Sequence, residues 1–206
     1  MKTRSYLKFS APLLVALALS TAANAAPSIT GSIGFGPAPL SGVTLQDGLG
    51  NTTTSLAAAK GVKAWGTTQV TTVGGSFATF VAGTNTPAFS APWVFNPSTP
   101  LPALWTITGS LAGGETFTFN LTSSSIVTQN ASFLNVTGTG TMTGTGTTAY
   151  AATAGTFNFT IPSPGAGEQF TWTSSSAPVP DGGTTMALLG VSLLGLYGAR
   201  RKFATA

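Results

Sequence analysis

Between residues 26 and 178 the only charged side chains are Asp47, Glu115, Glu168, Lys60 and Lys63. A carboxylate pair drawn from the first three is the machinery of glycoside hydrolysis, one group acting as acid and the other as base or nucleophile. Each one, however, sits in a glycine turn context, Asp47-Gly48, Gly114-Glu115 and Gly167-Glu168, where an acidic residue is expected to be a solvated turn residue. A desolvated Lys60 or Lys63 is a formal base for a serine nucleophile, but no serine stands in an oxyanion-type turn, and both lysines are expected to be exposed. The chain has no Cys and no His, which removes thiol nucleophiles, disulfides, Cys/His zinc sites and histidine-based triads. No Asp-rich loop offers calcium its oxygen cage. The chemistry-bearing residues therefore predict a protein that is not an enzyme and takes no metal or cofactor.

Aromatic side chains supply the other candidate site. Trp65, Trp93, Trp105 and Trp172 are the four tryptophans. Trp105 alternates with Ile107 and Trp172 with Phe170, so both read as core. Trp65, between Ala64 and Gly66, and Trp93, after Pro92, are the better candidates for exposed rings that stack on a glycan, as in a carbohydrate-binding module, although as the largest apolar side chains in a Leu-poor domain the four together are expected to fill the core.

The charge distribution bears on partners. The 206 residues carry a formal net charge of +4 with only 6% charged residues, against about 25% in a typical soluble domain. Lys2, Arg4 and Lys8 lie at one end and Arg200, Arg201 and Lys202 at the other. The intervening body holds two lysines against three carboxylates, a net of −1. A body of this charge does not bind a phosphate backbone, so no nucleic-acid partner is expected.

The body from 26 to 178 predicts an all-β domain, an antiparallel sandwich or jelly-roll-like fold of about ten strands. Phe117, Phe119 and Leu121 alternate with Thr116, Thr118, Asn120 and Thr122; Phe157, Phe159 and Ile161 repeat the pattern. Period-two alternation of this kind marks strands with one buried face. Thr137, Thr139, Thr141, Thr143 and Thr145 would project from one side of a strand, and Gly138, Gly140, Met142 and Gly144 from the other. The expectation is that these threonines meet solvent while the glycines receive aromatic rings from the facing sheet. A threonine surface matched to ice or a crystalline polysaccharide needs several parallel rows, and the sequence displays one.

Both ends read as addresses. Residues 1–25 order three cations, an apolar run from Ala11 to Leu19, and Ala23-Asn24-Ala25, the pattern of a secretory signal peptide cleaved between Ala25 and Ala26. Residues 179–206 begin Val179-Pro180-Asp181-Gly182-Gly183, continue uncharged to Ala199, and close with Arg200-Arg201-Lys202. As a helix, residues 182–199 reach about 27 Å, near the ~30 Å hydrocarbon core of a bilayer. The three cations would act as a stop on the cytoplasmic side.

A short acidic Pro-Gly motif, one hydrophobic helix and a basic end resemble the PEP-CTERM sorting signal. Val179 and Pro180 match its Val-Pro-Glu-Pro core, Asp181 stands for the Glu and Gly182 for the second Pro, so the signal is most similar to the VPDSG/VPDGG-type variant. The body, from Phe95-Asn96-Pro97 through Leu104-Trp105 and Phe133-Leu134-Asn135-Val136 to Gly155-Thr156-Phe157, resembles that of short exported proteins carrying the signal. The resemblance implies processing by an exosortase, a membrane-embedded transpeptidase-like enzyme of exopolysaccharide-producing Gram-negative bacteria. It implies transient residence in the inner membrane, then the outer surface or the extracellular biofilm matrix, with exopolysaccharide as a further partner. It brings no catalytic residues.

Overall fold

A computed structural model of the chain describes residues 26–38, 42–163 and 169–174. The strands are β1 (Ser32–Pro37), β2 (Thr44–Gln46), β3 (Thr52–Thr53), β4 (Gly61–Ala64), β5 (Thr68–Val73), β6 (Ala88–Phe89), β7 (Trp93–Val94), β8 (Leu101–Thr108), β9 (Thr116–Gln129), β10 (Leu134–Thr145), β11 (Thr153–Ile161) and β12 (Gln169–Ser174), with one 3-10 turn at Gly75–Thr79. They form an eight-stranded sheet in the order β5-β1-β12-β11-β10-β9-β8-β6 and a four-stranded sheet in the order β3-β2-β4-β7. Every strand pairing in both sheets is antiparallel.

This is the all-β, two-sheet architecture the alternation predicts, with β8 to β12 running as a sequential meander. Among the described residues twelve strands form where about ten are expected, because β2, β3, β6 and β7 have only two or three residues each. Segments so short cannot display a period. Among the described residues no helix is long and apolar enough to cross a membrane; the helix expected at 182–199 lies outside them.

The core follows the aromatic alternation. Phe117, Phe119 and Leu121 on β9, Phe157, Phe159 and Ile161 on β11, and Phe170 and Trp172 on β12 are all buried. Phe157 and Phe170 stack at 5.2 Å between centroids, and Phe119 meets Trp105 at 5.9 Å. Trp93 on β7 packs edge-on to Phe157 and Phe159 at 5.7 and 5.3 Å, which ties the small sheet to the inner face of the large one.

β9 and β10 are the long central pair, fourteen residues against twelve. The difference is taken up by two bulges in β9, where the register steps past Thr122 and past Val127. Each extra residue reverses which side chains face inward. The buried set accordingly changes from Phe117, Phe119 and Leu121 to Ser124, with Ile126 partly buried behind it.

The glycine-lined side of β10 does receive rings, but from strands beside it rather than from the facing sheet. A Cβ on Gly140 would strike the Phe119 ring of β9; one on Gly138 would come within 2.7 Å of Phe157 Cε1 of β11. On β11 itself, Gly155 is overlain by the Trp172 indole of β12. Side chains lean along a sheet, so a glycine leaves a recess that the large neighbour on the next strand fills.

Candidate functional site

The five body charges do not converge. Asp47 turns back on its own loop: its Oδ1 accepts the Leu49 and Asn51 amide protons at 2.8 and 2.9 Å. These two hydrogen bonds, led by that from Leu49, hold the Asp47 carboxyl below its ordinary range. Asp47 is thus the turn residue its Asp-Gly context predicts.

Glu115 is not. It is fully buried, which overturns the solvated-turn expectation. Its Oε2 accepts the Thr148 amide at 3.1 Å and the Thr147 hydroxyl at 3.2 Å, while Oε1 has no partner. Gly146, whose φ is +151°, lets the backbone close over this carboxylate; a Cβ there would lie 2.8 Å from Oε2. Glu168, the third carboxylate, lies outside the described residues.

Lys63 is exposed and donates from Nζ to the Gly50 carbonyl at 3.1 Å. Lys60 is half-buried, its backbone bonded to Gln46 and Phe95. Among the described residues no group of three His, Cys, Asp or Glu side chains gathers to hold a metal.

The tryptophan pair also departs from expectation. Trp93 is fully buried, since β7 pairs with β4 and turns the indole under the small sheet. Its Nε1 has no hydrogen-bond partner. Trp65 is half-buried, stacked on Phe89 at 4.2 Å and parallel to Trp93 at 6.1 Å, with Nε1 donating to the Ser90 carbonyl at 2.9 Å. Trp93 belongs to the core cluster and Trp65 packs against it, so the two candidates do not form an exposed pair of rings. Trp105 and Trp172 are buried as predicted.

What the strands do assemble is the outer face of the large sheet. Registry aligns hydroxyl side chains across strands into rows: Thr108, Thr116 and Thr145, then Thr106, Thr118 and Thr143, along β8, β9 and β10. A third row runs Ser123, Thr139, Thr156, Thr173 and Ser32 across β9, β10, β11, β12 and β1. A fourth runs Ser125, Thr137, Asn158 and Thr171 and then meets Gly34 of β1. Neighbouring hydroxyls pair within the rows, Thr108 with Thr116 at 2.9 Å and Ser123 with Thr139 at 3.0 Å. None of these row-forming Thr, Ser and Asn residues is buried, and none of the strands of this sheet except in its flanking loops carries a charged residue.

The rows break at β1. Its inward residues are Ile33 and Phe35, both buried; after Ser32, where the third row ends, its outward positions are Gly34 and Gly36. A Cβ on Gly34 would collide with Thr72 Oγ1, and one on Gly36 would come within 3.0 Å of Thr71 Cγ2. Along Phe35 and Gly36 of β1 runs an open trough of about 530 Å³, with Thr71 and Thr72 of β5 along one wall, Gln169 and Thr171 of β12 along the other, and Pro37 at one end.

The expected signal cleavage at Ala25 and Ala26 straddles the start of the described residues, and the sorting motif Val179 to Gly183 and the basic stop Arg200 to Lys202 lie outside them. Their sequence is nevertheless diagnostic: residues 178–203 match the VPDSG-CTERM motif. The chain thus carries a PEP-CTERM-type sorting signal at its C-terminus. The match does not extend into the β domain, so the likeness of the body to short exported proteins is not part of it. No curated protein and no solved structure matches the chain.

Proposed function

We propose that this is an exported, non-enzymatic β-domain protein, sorted through its C-terminal signal by an exosortase-type processing enzyme and delivered to the outer surface or polysaccharide matrix of a Gram-negative cell. The observation that carries the reading is the VPDSG-CTERM match at 178–203, which begins four residues after β12 ends at Ser174. The N-terminal signal would deliver residues 26–178 across the inner membrane. The segment 182–199 and the Arg200, Arg201 and Lys202 stop would hold the chain there until cleavage near Val179 to Gly183.

The absence of catalysis is part of the proposal. It is supported by the separation of the carboxylates: Asp47 is engaged by its own turn and Glu115 is sealed under Gly146. A matrix setting is supported by low charge, since a body of net −1 presents little electrostatic barrier to dense association with neutral polymers.

Intact-mass measurement on the host's inner-membrane, surface and matrix fractions tests the reading. The expected species begins at Ala26, ends near residue 180 and is found outside the inner membrane. Replacing Arg200 and Arg201 with Glu is expected to leave the chain uncleaved or misoriented. A species that keeps residues 186–202 in the inner membrane would make the tail a permanent anchor and refute the sorting step.

A further inference from the structure

We infer that the trough along Gly36, between β5 and β12, is a binding site for a single chain of an uncharged polysaccharide, and that the hydroxyl rows beside it continue the polymer's path across the sheet. The inference rests on the matrix reading above and assigns it a surface. Four observations carry it.

The first is charge. A soluble protein's surface is ordinarily about 25–35% charged, yet no strand of the eight-stranded sheet bears a charged residue. An acidic or basic polymer finds no counter-ion on this face, whereas a neutral one loses nothing by docking there. The second is hydrogen-bonding capacity. Thr71, Thr72 and Thr171 offer hydroxyls that both donate and accept, and Gln169 an amide that does the same. A polyhydroxylated ligand needs this two-way chemistry.

The third is shape. The trough, at about 530 Å³, lies within the ~300–1,000 Å³ range of small-ligand sites. It is open rather than enclosed, as a polymer that enters and leaves requires, and Pro37 gives it apolar surface for the C–H side of a sugar ring. Gly36 lies along it, where a Cβ would come within 3.0 Å of Thr71 Cγ2 and the threonine would have to give way.

The fourth is the composition of the whole face, which disfavours other occupants. Interfaces between protein copies are enriched in aromatic residues, Met and Arg at their centres, and the rows consist of Thr, Ser and Asn. An ice lattice demands a flat plane, but two bulges in β9 and the register break between Gly34 and Phe35 increase the twist of this sheet.

The test uses the full-length chain purified in detergent, with retardation in native gels containing hydroxyethylcellulose, dextran, the host's own neutral exopolysaccharide, or alginate as the charged comparison. Wild type is expected to be retarded by at least one neutral polymer and not by alginate. Thr171→Arg, which places a bulky cation in the trough at an exposed position, is expected to weaken retardation about tenfold, a loss of about 1.4 kcal/mol. Gln169→Leu, which removes only the amide, keeps the inference testable if the arginine variant misfolds; it is expected to weaken binding severalfold. Thr52→Arg, exposed on β3 of the small sheet and outside both the trough and the hydroxyl rows, is expected to match wild type.

Equal binding by wild type, Thr171→Arg and Gln169→Leu would move the polysaccharide elsewhere and overturn the trough while leaving the matrix reading intact. Retardation by alginate alone would overturn the neutral-ligand assignment. Absence of all retardation, in a chain that the mass measurement shows cleaved and in the matrix, would overturn the trough but not the sorting. A chain that remains in the inner membrane would remove the reading beneath it.

Discussion

Replacing Gly140 with Ala isolates the contact between β10 and the aromatic core. Two opposed effects can be weighed. Alanine in a strand interior is worth about 0.5–1 kcal/mol more than glycine, because less backbone freedom is lost on folding. Against this, the new Cβ would overlap the Phe119 ring and lie 2.5 Å from the Asn120 carbonyl oxygen. The ring cannot swing aside, being packed against Trp105, Phe157 and Phe170 at 5.9, 5.9 and 6.2 Å, and the carbonyl belongs to the β9 backbone. Overpacking of this kind costs about 1–3 kcal/mol, occasionally more. The net is a destabilisation of about 1–2 kcal/mol, or a fall in Tm of about 2–8 °C for a domain of this size. Gly83→Ala is the matched comparison, since a Cβ there meets nothing within 4 Å and should be neutral or stabilising by up to about 1 kcal/mol. Thermal and urea unfolding followed by tryptophan fluorescence reads both. If Gly140→Ala proves as stable as Gly83→Ala, the claim that β10 glycines exist to seat neighbouring rings is wrong.

Trp93→Ala should cost about 3–5 kcal/mol through loss of a fully buried ring, and any loss of glycan binding in that variant should vanish once its unfolded fraction is subtracted in the same fluorescence assay. Glu115→Gln retains an acceptor for Thr147 and Thr148 and should shift stability by no more than about 1 kcal/mol, whereas Glu115→Ala leaves the part-buried Thr148 amide without its acceptor and should cost about 1–3 kcal/mol in urea unfolding. The Asp47 carboxyl is held below its unfolded value, so its support of the 47–51 turn is fully present at neutral pH, above that value, and is lost as pH falls through the lowered folded one. Amide shifts of Leu49 and Asn51 should titrate together in that acid range, and in Asp47→Asn the titration should disappear.

The strands that carry function-relevant surface were largely legible, since Phe117-Phe119-Leu121 and Phe157-Phe159-Ile161 announce their buried face by local alternation. What could not be read locally was registry. The single threonine row of β10 becomes several only when β9, β11 and β12 align with it, and the bulges at Thr122 and Val127 leave no signature in a uniform Thr/Ser run. The burial of Trp93 is not legible locally because a two-residue strand shows no period; it follows from pairing with Val62 of β4, thirty-one residues earlier. Glu115 was misread because its turn context was local, while the backbone that buries it, at Gly146, lies in another hairpin. The trough had one trace in the sequence, the alternation Ile33-Gly34-Phe35-Gly36, which places glycine at each outward position.

β12 sits between β1 and β11, so the last described strand of the chain bridges its first to the meander. Remove it and the large sheet falls into a two-stranded piece, β5-β1, and a five-stranded one. A chain delivered across a membrane N-terminus first therefore emerges with both pieces unable to join, and with the slots for Phe170 and Trp172 empty, until residue 174 has cleared the channel. By then only seven residues, 175–181, separate β12 from the uncharged segment that begins at Gly182. In the export proposed above, closure of the sheet and arrival of the sorting signal would thus be nearly one event, with the order of the strands keeping the domain open until its address is delivered.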